Sequence, residues 1–162
     1  MKRLLGIFVG TCILFSASSV QASNRLSHRF GVSLGILGDP FPTLLGYNAS
    51  INLARWLRAT GGYGQISGTT NAGEAKITTV GGGVRLFVPS WNFSPVVGLS
   101  YAKVSFTGSG SLSGFTGNSH HTYATLGFDW QAANGFNFGL GANLSTLSGV
   151  GAVPYLNLGW FF

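Results

Sequence analysis

Acidic residues are almost missing from this chain: Asp39, Glu74 and Asp129 are the only three among 162 residues, and charged residues of both signs make up 7%. An average soluble domain carries about 25%, so a surface built from this composition would be poorly hydrated. Cysteine is scarce as well. The single one, Cys12, lies near the start, so neither disulfides nor a thiolate metal site can hold the remainder together. Beyond residue 22 there is also no apolar run of about 20 residues, the length a membrane-spanning helix needs. Little charge and no spanning helix are reconciled by a closed barrel, whose apolar residues are spread over every second position.

The first residues follow a different pattern. Lys2 and Arg3 precede an apolar run from Leu4 to Phe15, which gives way to small residues ending Val20-Gln21-Ala22. Basic, apolar, small is the order of a secretory signal peptide, and it places cleavage after Ala22. The expected organisation is therefore a leader over 1–22 and one barrel domain over 23–162. Cys12 offers a lipoprotein alternative, but Val9-Gly10-Thr11 ahead of it fits a small-residue lipobox poorly. Past the leader, seven basic residues stand against the three acidic ones, a formal +4. They are spread one or two per segment, without the clustered stripe that nucleic-acid binding requires, so no nucleic-acid partner is expected.

What the chain has in abundance is alternation. Phe30, Val32, Leu34 and Ile36 are separated by Gly31, Ser33 and Gly35, and Leu45 to Leu53 repeats the pattern against Gly46, Asn48, Ser50 and Asn52. Further segments with the same period of two run from Leu57 to Gly64, Thr79 to Leu86, Val97 to Ala102, Tyr123 to Trp130, Phe136 to Leu144, and Leu156 to Phe162. A period of two fits a strand and no helical face. Eight such segments predict an all-β, eight-stranded antiparallel up-and-down transmembrane β-barrel. A water-soluble β-sandwich would also alternate and is the competing architecture.

The breaks fall near Gly38 to Pro42, Ala54 to Trp56, Ser67 to Ala75, Val88 to Asn92, Thr107 to Ser119, Gln131 to Asn134, and Ser148 to Gly151. If the first strand rises from the periplasm, the two longest, around Asn71 and Gly110, lie outside the cell, as barrels of this kind prefer. Trp56, Trp91, Phe93, Trp130 and Trp160 then gather at the periplasmic ends, where amphipathic rings favour the bilayer interface.

The chain ends Tyr155-Leu156-Asn157-Leu158-Gly159-Trp160-Phe161-Phe162. A terminal Phe with apolar or aromatic residues at alternate positions resembles the C-terminal strand signal of bacterial outer-membrane proteins. The residues expected to carry it are Tyr155, Leu156, Leu158, Trp160 and Phe162. The segment from Asn52 to Tyr63 also resembles the strand-turn-strand of the small OmpA-like and OmpX-like barrel families. That resemblance implies residence in the Gram-negative outer membrane, with outer-membrane lipid and the barrel-assembly machinery as partners, but no activity by itself. No periplasmic domain is expected after Phe162, a departure from full-length OmpA-like proteins that puts a cell-wall tether in doubt.

Arg29, Arg58, Arg85 and Asp129 fall on inward faces near the periplasmic end and are expected to form one lumen charge cluster. An Arg facing lipid at mid-depth would cost about 2–4 kcal/mol, so inward placement is required with or without a function. The cluster reads either as an ion-paired plug or as a selectivity constriction. An eight-stranded barrel, just wide enough for side chains to fill, favours the plug. Twelve glycines share the inward set, among them Gly31, Gly35, Gly127 and Gly141, leaving open whether the lumen is filled or hollow.

Enzymatic chemistry would have to come from His28, His120 and His121 with Ser119, Thr122 and Glu74. A lipid A deacylase pattern, His followed two residues later by Ser, is absent, and His120 and His121 face opposite sides of one strand. No enzyme activity, metal or cofactor is expected. Thr107 to Ser119 is too short for the long protruding β-rich loops of an adhesin. Outward Gly61, Gly82 and Ala124 would allow close approach of neighbouring barrels, hence a homo-oligomer that organises lipid. The reading that follows is a structural or porin-like outer-membrane barrel, with self-association, adhesion and lipid A modification as alternatives.

Overall fold

A computed structural model describes residues 27–36, 39, 45–71, 73–89, 91, 93–114, 116–145 and 151–162. The expected leader over 1–22, with Cys12 in it, lies outside the described residues. Eight strands, β1 (Phe30–Ile36), β2 (Leu45–Ala54), β3 (Leu57–Thr70), β4 (Gly73–Phe87), β5 (Phe93–Gly108), β6 (Gly117–Gln131), β7 (Phe136–Ser145) and β8 (Ala152–Phe161), form one sheet. Each pairs antiparallel with its neighbour in sequence, and β8 closes onto β1 through Gly31↔Phe161 to Ile36↔Leu156. Closure leaves no second sheet, which excludes the sandwich.

The polarity of this barrel is inverted relative to a water-soluble one. Asn48, Asn52, Arg58, Arg85, Thr125, Asp129, Asn137, Asn143 and Asn157 are all buried, whereas Val32, Tyr47, Val84, Val97, Leu99 and Leu126 are exposed. The cause is the period of two: the parity richer in polar residues and glycine faces the axis, with Phe87, Val96, Ala102, Val104, Tyr123, Tyr155 and Phe161 packed among them, and the more apolar parity faces outward.

Aromatic side chains mark the ends of the apolar wall. At the tight-turn end Phe93 stacks on Phe128 at 5.0 Å, and Trp130, Phe136 and Trp160 form an edge-to-face chain with centroids 5.9 and 6.0 Å apart. Trp56 and Trp91 are exposed there as well. Toward the other end Tyr47 and Tyr63 face each other across β2 and β3, and Tyr101 stands further round on β5. At ordinary strand rise Phe93 and Tyr101 lie about 27 Å apart along β5. A tilt of about 40° projects this to about 21 Å, close to the apolar band of about 25 Å in outer-membrane barrels.

Two expectations are corrected. The stretch from Ser67 to Ala75 is not a long loop, because β3 and β4 pair up to Thr70↔Gly73. The connection from Thr107 to Ser119 shrinks in the same way: β5 runs to Gly108, β6 starts at Gly117, and a short 3-10 turn, Gly110–Leu112, lies between. Both segments carry small polar residues on both faces, so alternation fades although backbone pairing continues. β3 to β6 are consequently 14 to 16 residues long, whereas β1, β2, β7 and β8 have 7 to 10. The long strands rise above the rim as a four-stranded sheet, the β-rich projection that loop length argued against.

Candidate functional site

Even-numbered residues of β3 and odd-numbered residues of β4 face the axis, which brings Arg58 directly opposite Arg85 in the β3–β4 register. Like charges placed directly opposite destabilise a sheet, so this pair depends on counterions. Each arginine has its own. Arg58 Nη1 donates to Asp129 Oδ2 on β6 at 3.0 Å, with the two side chains 2% and 3% exposed. Arg85 Nη2 donates to both carboxylate oxygens of Asp39 at 3.0 Å.

The lower pair sits in a hydrogen-bonded cage. Arg58 Nε donates to Asn52 Oδ1 at 2.9 Å and Nη2 to Gln131 Oε1 at 3.1 Å. Asp129 Oδ2 also accepts from Asn137 Nδ2 at 2.9 Å. The guanidinium lies between the rings of Phe87 and Phe161, 4.6 and 4.2 Å from their centroids. Cation–π contact ties it to this position, and together with the carboxylate and amide oxygens it offsets the cost of desolvating the charge. Below it the turn after β6 hooks onto β8: Phe161 N donates to Gly135 O at 2.8 Å, and Gly135 has φ +91°, where a side chain would be strained and its Cβ would meet the Phe161 carbonyl.

The upper pair is built differently. Asp39 belongs to the β1–β2 connection rather than to a strand, yet it is buried in the lumen. Its carboxylate also accepts from Asn157 Nδ2 at 2.7 Å, and its backbone carbonyl accepts from Asn48 Nδ2 at 3.3 Å. The void among Ser33, Asp39, Asn48, Arg58, Arg85 and Asn157 has no room for a water-sized sphere.

Glycine in the lumen makes space that larger side chains occupy. A Cβ on Gly31 would come within 3 Å of the Phe161 ring, and one on Gly127 or Gly141 would meet Tyr155 as well as backbone across the strand. A Cβ on outward Gly61 would approach only the Gly81 carbonyl, at 3.9 Å. Gly141→Ala is therefore expected to lower unfolding stability in detergent by about 1–3 kcal/mol, the usual cost of overpacking. Gly61→Ala should leave stability unchanged or slightly raised. Denaturant titration of the two variants side by side checks this, and equal effects would contradict a packed interior.

Of the four residues expected to cluster, Arg58, Arg85 and Asp129 come together, and Arg29 does not. Arg29 is exposed ahead of β1, where only its backbone engages the sheet, its carbonyl accepting from Asn52 N at 2.8 Å. Inward parity fails for it because it precedes the first paired residue. Asp39 is the member that alternation missed. Charge balance points to it, since two inward arginines against Asp129 alone leave one cation without a partner.

In β8, Leu156, Leu158 and Trp160 lie on the outward parity, continued by the exposed Phe162 just past the strand, whereas Tyr155 points inward, with Arg85 5.4 Å from its ring centroid. His121 is buried in the wall and His120 is exposed outside it. His28 Nε2 lies 2.9 Å from the Ala133 carbonyl at the tight-turn end. Among the described residues no group of three or more His, Cys, Asp or Glu side chains could hold a metal.

No protein-family profile matches the chain, and no curated protein matches it. Among solved structures the chain is similar to the crystal structure of Ail, the attachment invasion locus protein of Yersinia pestis. The identity is 12%, covering 82% of this chain and 93% of that one, with a TM-score of 0.40. It is also similar to Ail in complex with the heparin analogue sucrose octasulfate, at 14% identity over the same shares, with a TM-score of 0.42. The functional reading therefore rests on this chain's own geometry.

Proposed function

We propose that this protein is an integral barrel of the bacterial outer membrane with a structural role, its lumen closed by two ion pairs. The inverted polarity carries the reading. A closed sheet satisfies its backbone internally, the requirement for crossing a bilayer, and its outer wall is apolar between two aromatic levels. Inside, the neutral set of Arg58, Arg85, Asp39 and Asp129 is hydrogen-bonded rather than open to water, which favours a plug over a selectivity filter.

The chain refolded with phospholipid vesicles should float with them, resist extraction by alkaline carbonate, and migrate differently in gel electrophoresis before and after boiling. Recovery in the carbonate-soluble fraction as folded protein would overturn the membrane reading.

A second reading, surface adhesion, is favoured by the projecting sheet. Above the rim β3 pairs with β4 up to Thr70↔Gly73, β4 with β5 up to Ala75↔Gly108, and β5 with β6 up to Phe106↔Gly117, so the projection is one continuous four-stranded sheet. In that sheet Ile66, Ile77 and Phe106 form one cross-strand row on the inner side, above the barrel mouth. Ile77→Ser with Phe106→Ser should abolish attachment of protein-bearing vesicles to host-cell surfaces without altering barrel stability. Unchanged attachment would remove the projecting sheet from that role.

A further inference from the structure

We infer that Lys103 and His120, on the outer wall at the upper edge of the apolar band, bind the phosphate-bearing headgroup of a membrane lipid. The inference rests on the outer-membrane reading above. In β3 to β6 the outward residues form cross-strand rows that step up the barrel. Ala59, Val84, Leu99 and Ala124 make one apolar row, and Gly61, Gly82, Tyr101 and Thr122 make the next. Two residues higher come Tyr63, Val80, Lys103 and His120, and above them Gln65, Thr78, Ser105 and Asn118, a wholly polar row. Lys103 and His120 thus occupy the last row before the wall turns polar, at the depth where lipid headgroups begin.

The two side chains are direct cross-strand partners, and both are exposed. Tyr101, one row below, braces the histidine: its hydroxyl lies 2.6 Å from His120 Nδ1, and the two rings stack with centroids 5.7 Å apart. With Nδ1 engaged, Nε2 is the nitrogen left for an incoming acceptor. No carboxylate among the described residues lies within ion-pair distance of Lys103. The one acid of the outer wall, Glu74, is six residues along β4 from Val80, the residue that faces Lys103. An ammonium and a ring N–H beside Val80 and above Tyr101 and Leu99 match a ligand with an anionic head and an acyl body.

The test follows the histidine ring resonances of the refolded chain in uncharged maltoside micelles, with His28 and His121 as internal references. Added short-chain phosphatidic acid should shift the His120 signals saturably and leave the other two in place. Lys103→Gln should weaken that binding about fivefold, the contribution of one lysine at an anionic lipid surface. Arg55→Gln, in the turn between β2 and β3, should leave it unchanged. Inorganic phosphate at the same concentration should produce no shift, because it lacks the acyl body. An unmoved His120 in a folded barrel, an undiminished affinity in Lys103→Gln, or an equal response to inorganic phosphate would each overturn the assignment, the last by showing a free-anion site. Failure of the chain to float with vesicles would remove the membrane reading itself, and the site with it.

Discussion

Asp129→Ala is expected to destabilise the barrel by about 3–5 kcal/mol, the cost of removing one partner from a buried ion pair. The loss arises because Arg58 cannot reach water. Its guanidinium is caged by Asn52, Gln131, Phe87 and Phe161 and stands across the sheet from a second arginine. Without the carboxylate, Arg58 and Arg85 face each other with Asp39 as their one remaining counterion. Urea titration in detergent micelles gives the change directly. Arg58→Met in the Asp129→Ala background should recover most of it, because deleting both members of a buried pair leaves no uncompensated charge. If the single substitution falls within about 0.5 kcal/mol of wild type, as surface changes usually do, the pair is not a structural plug.

Val97→Arg should cost about 2–4 kcal/mol when unfolding is measured in a bilayer. Val97 is outward and exposed, midway along β5 between Phe93 and Tyr101, in a row with Leu57, Leu86, Leu126 and Ala142. On a water-facing surface the same change would be close to neutral. The size of the penalty therefore reports what covers the wall. Thr107→Arg, on the same face but above the polar row, should cost about 0–1 kcal/mol, as expected near the interface and beyond. Equal effects at the two positions would mean that no hydrocarbon boundary lies between them.

Much of this architecture was legible because two faces in two solvents write a period of two into the chain. In β1, β2, β7 and β8 alternation located the strands to within a few residues, and it set the inward parity of Arg58, Arg85 and Asp129. Legibility failed where the two environments become alike. Above the rim both faces of β3 to β6 meet water, so Ser67-Gly68-Thr69-Thr70 and Gly73-Glu74-Ala75 read as loop although they are paired. Asp39 was illegible for a related reason. It lies outside any strand, so parity says nothing of it; charge balance calls for one more inward acid, and the contacts with Arg85 and Asn157 place Asp39 in the lumen. Arg29 erred the other way, by extending the alternation one residue past the first strand pair.

The filling of the lumen was the question that glycine content alone left open. Gly31, Gly127 and Gly141 give up side-chain volume that Phe161 and Tyr155 take, so a glycine-lined wall and a packed interior are the same arrangement seen from two sides. The two closures are not equivalent. Arg58–Asp129 joins β3 to β6, whereas Arg85–Asp39 joins β4 to a residue of the β1–β2 connection.

The most direct measurement is single-channel conductance of the refolded chain in a planar bilayer, with insertion confirmed in the same preparation. A filled lumen predicts a silent membrane at neutral pH for the wild-type barrel. Discrete current steps from that folded, unsubstituted barrel would contradict the plug and return the arginines to the wall of a water-filled path.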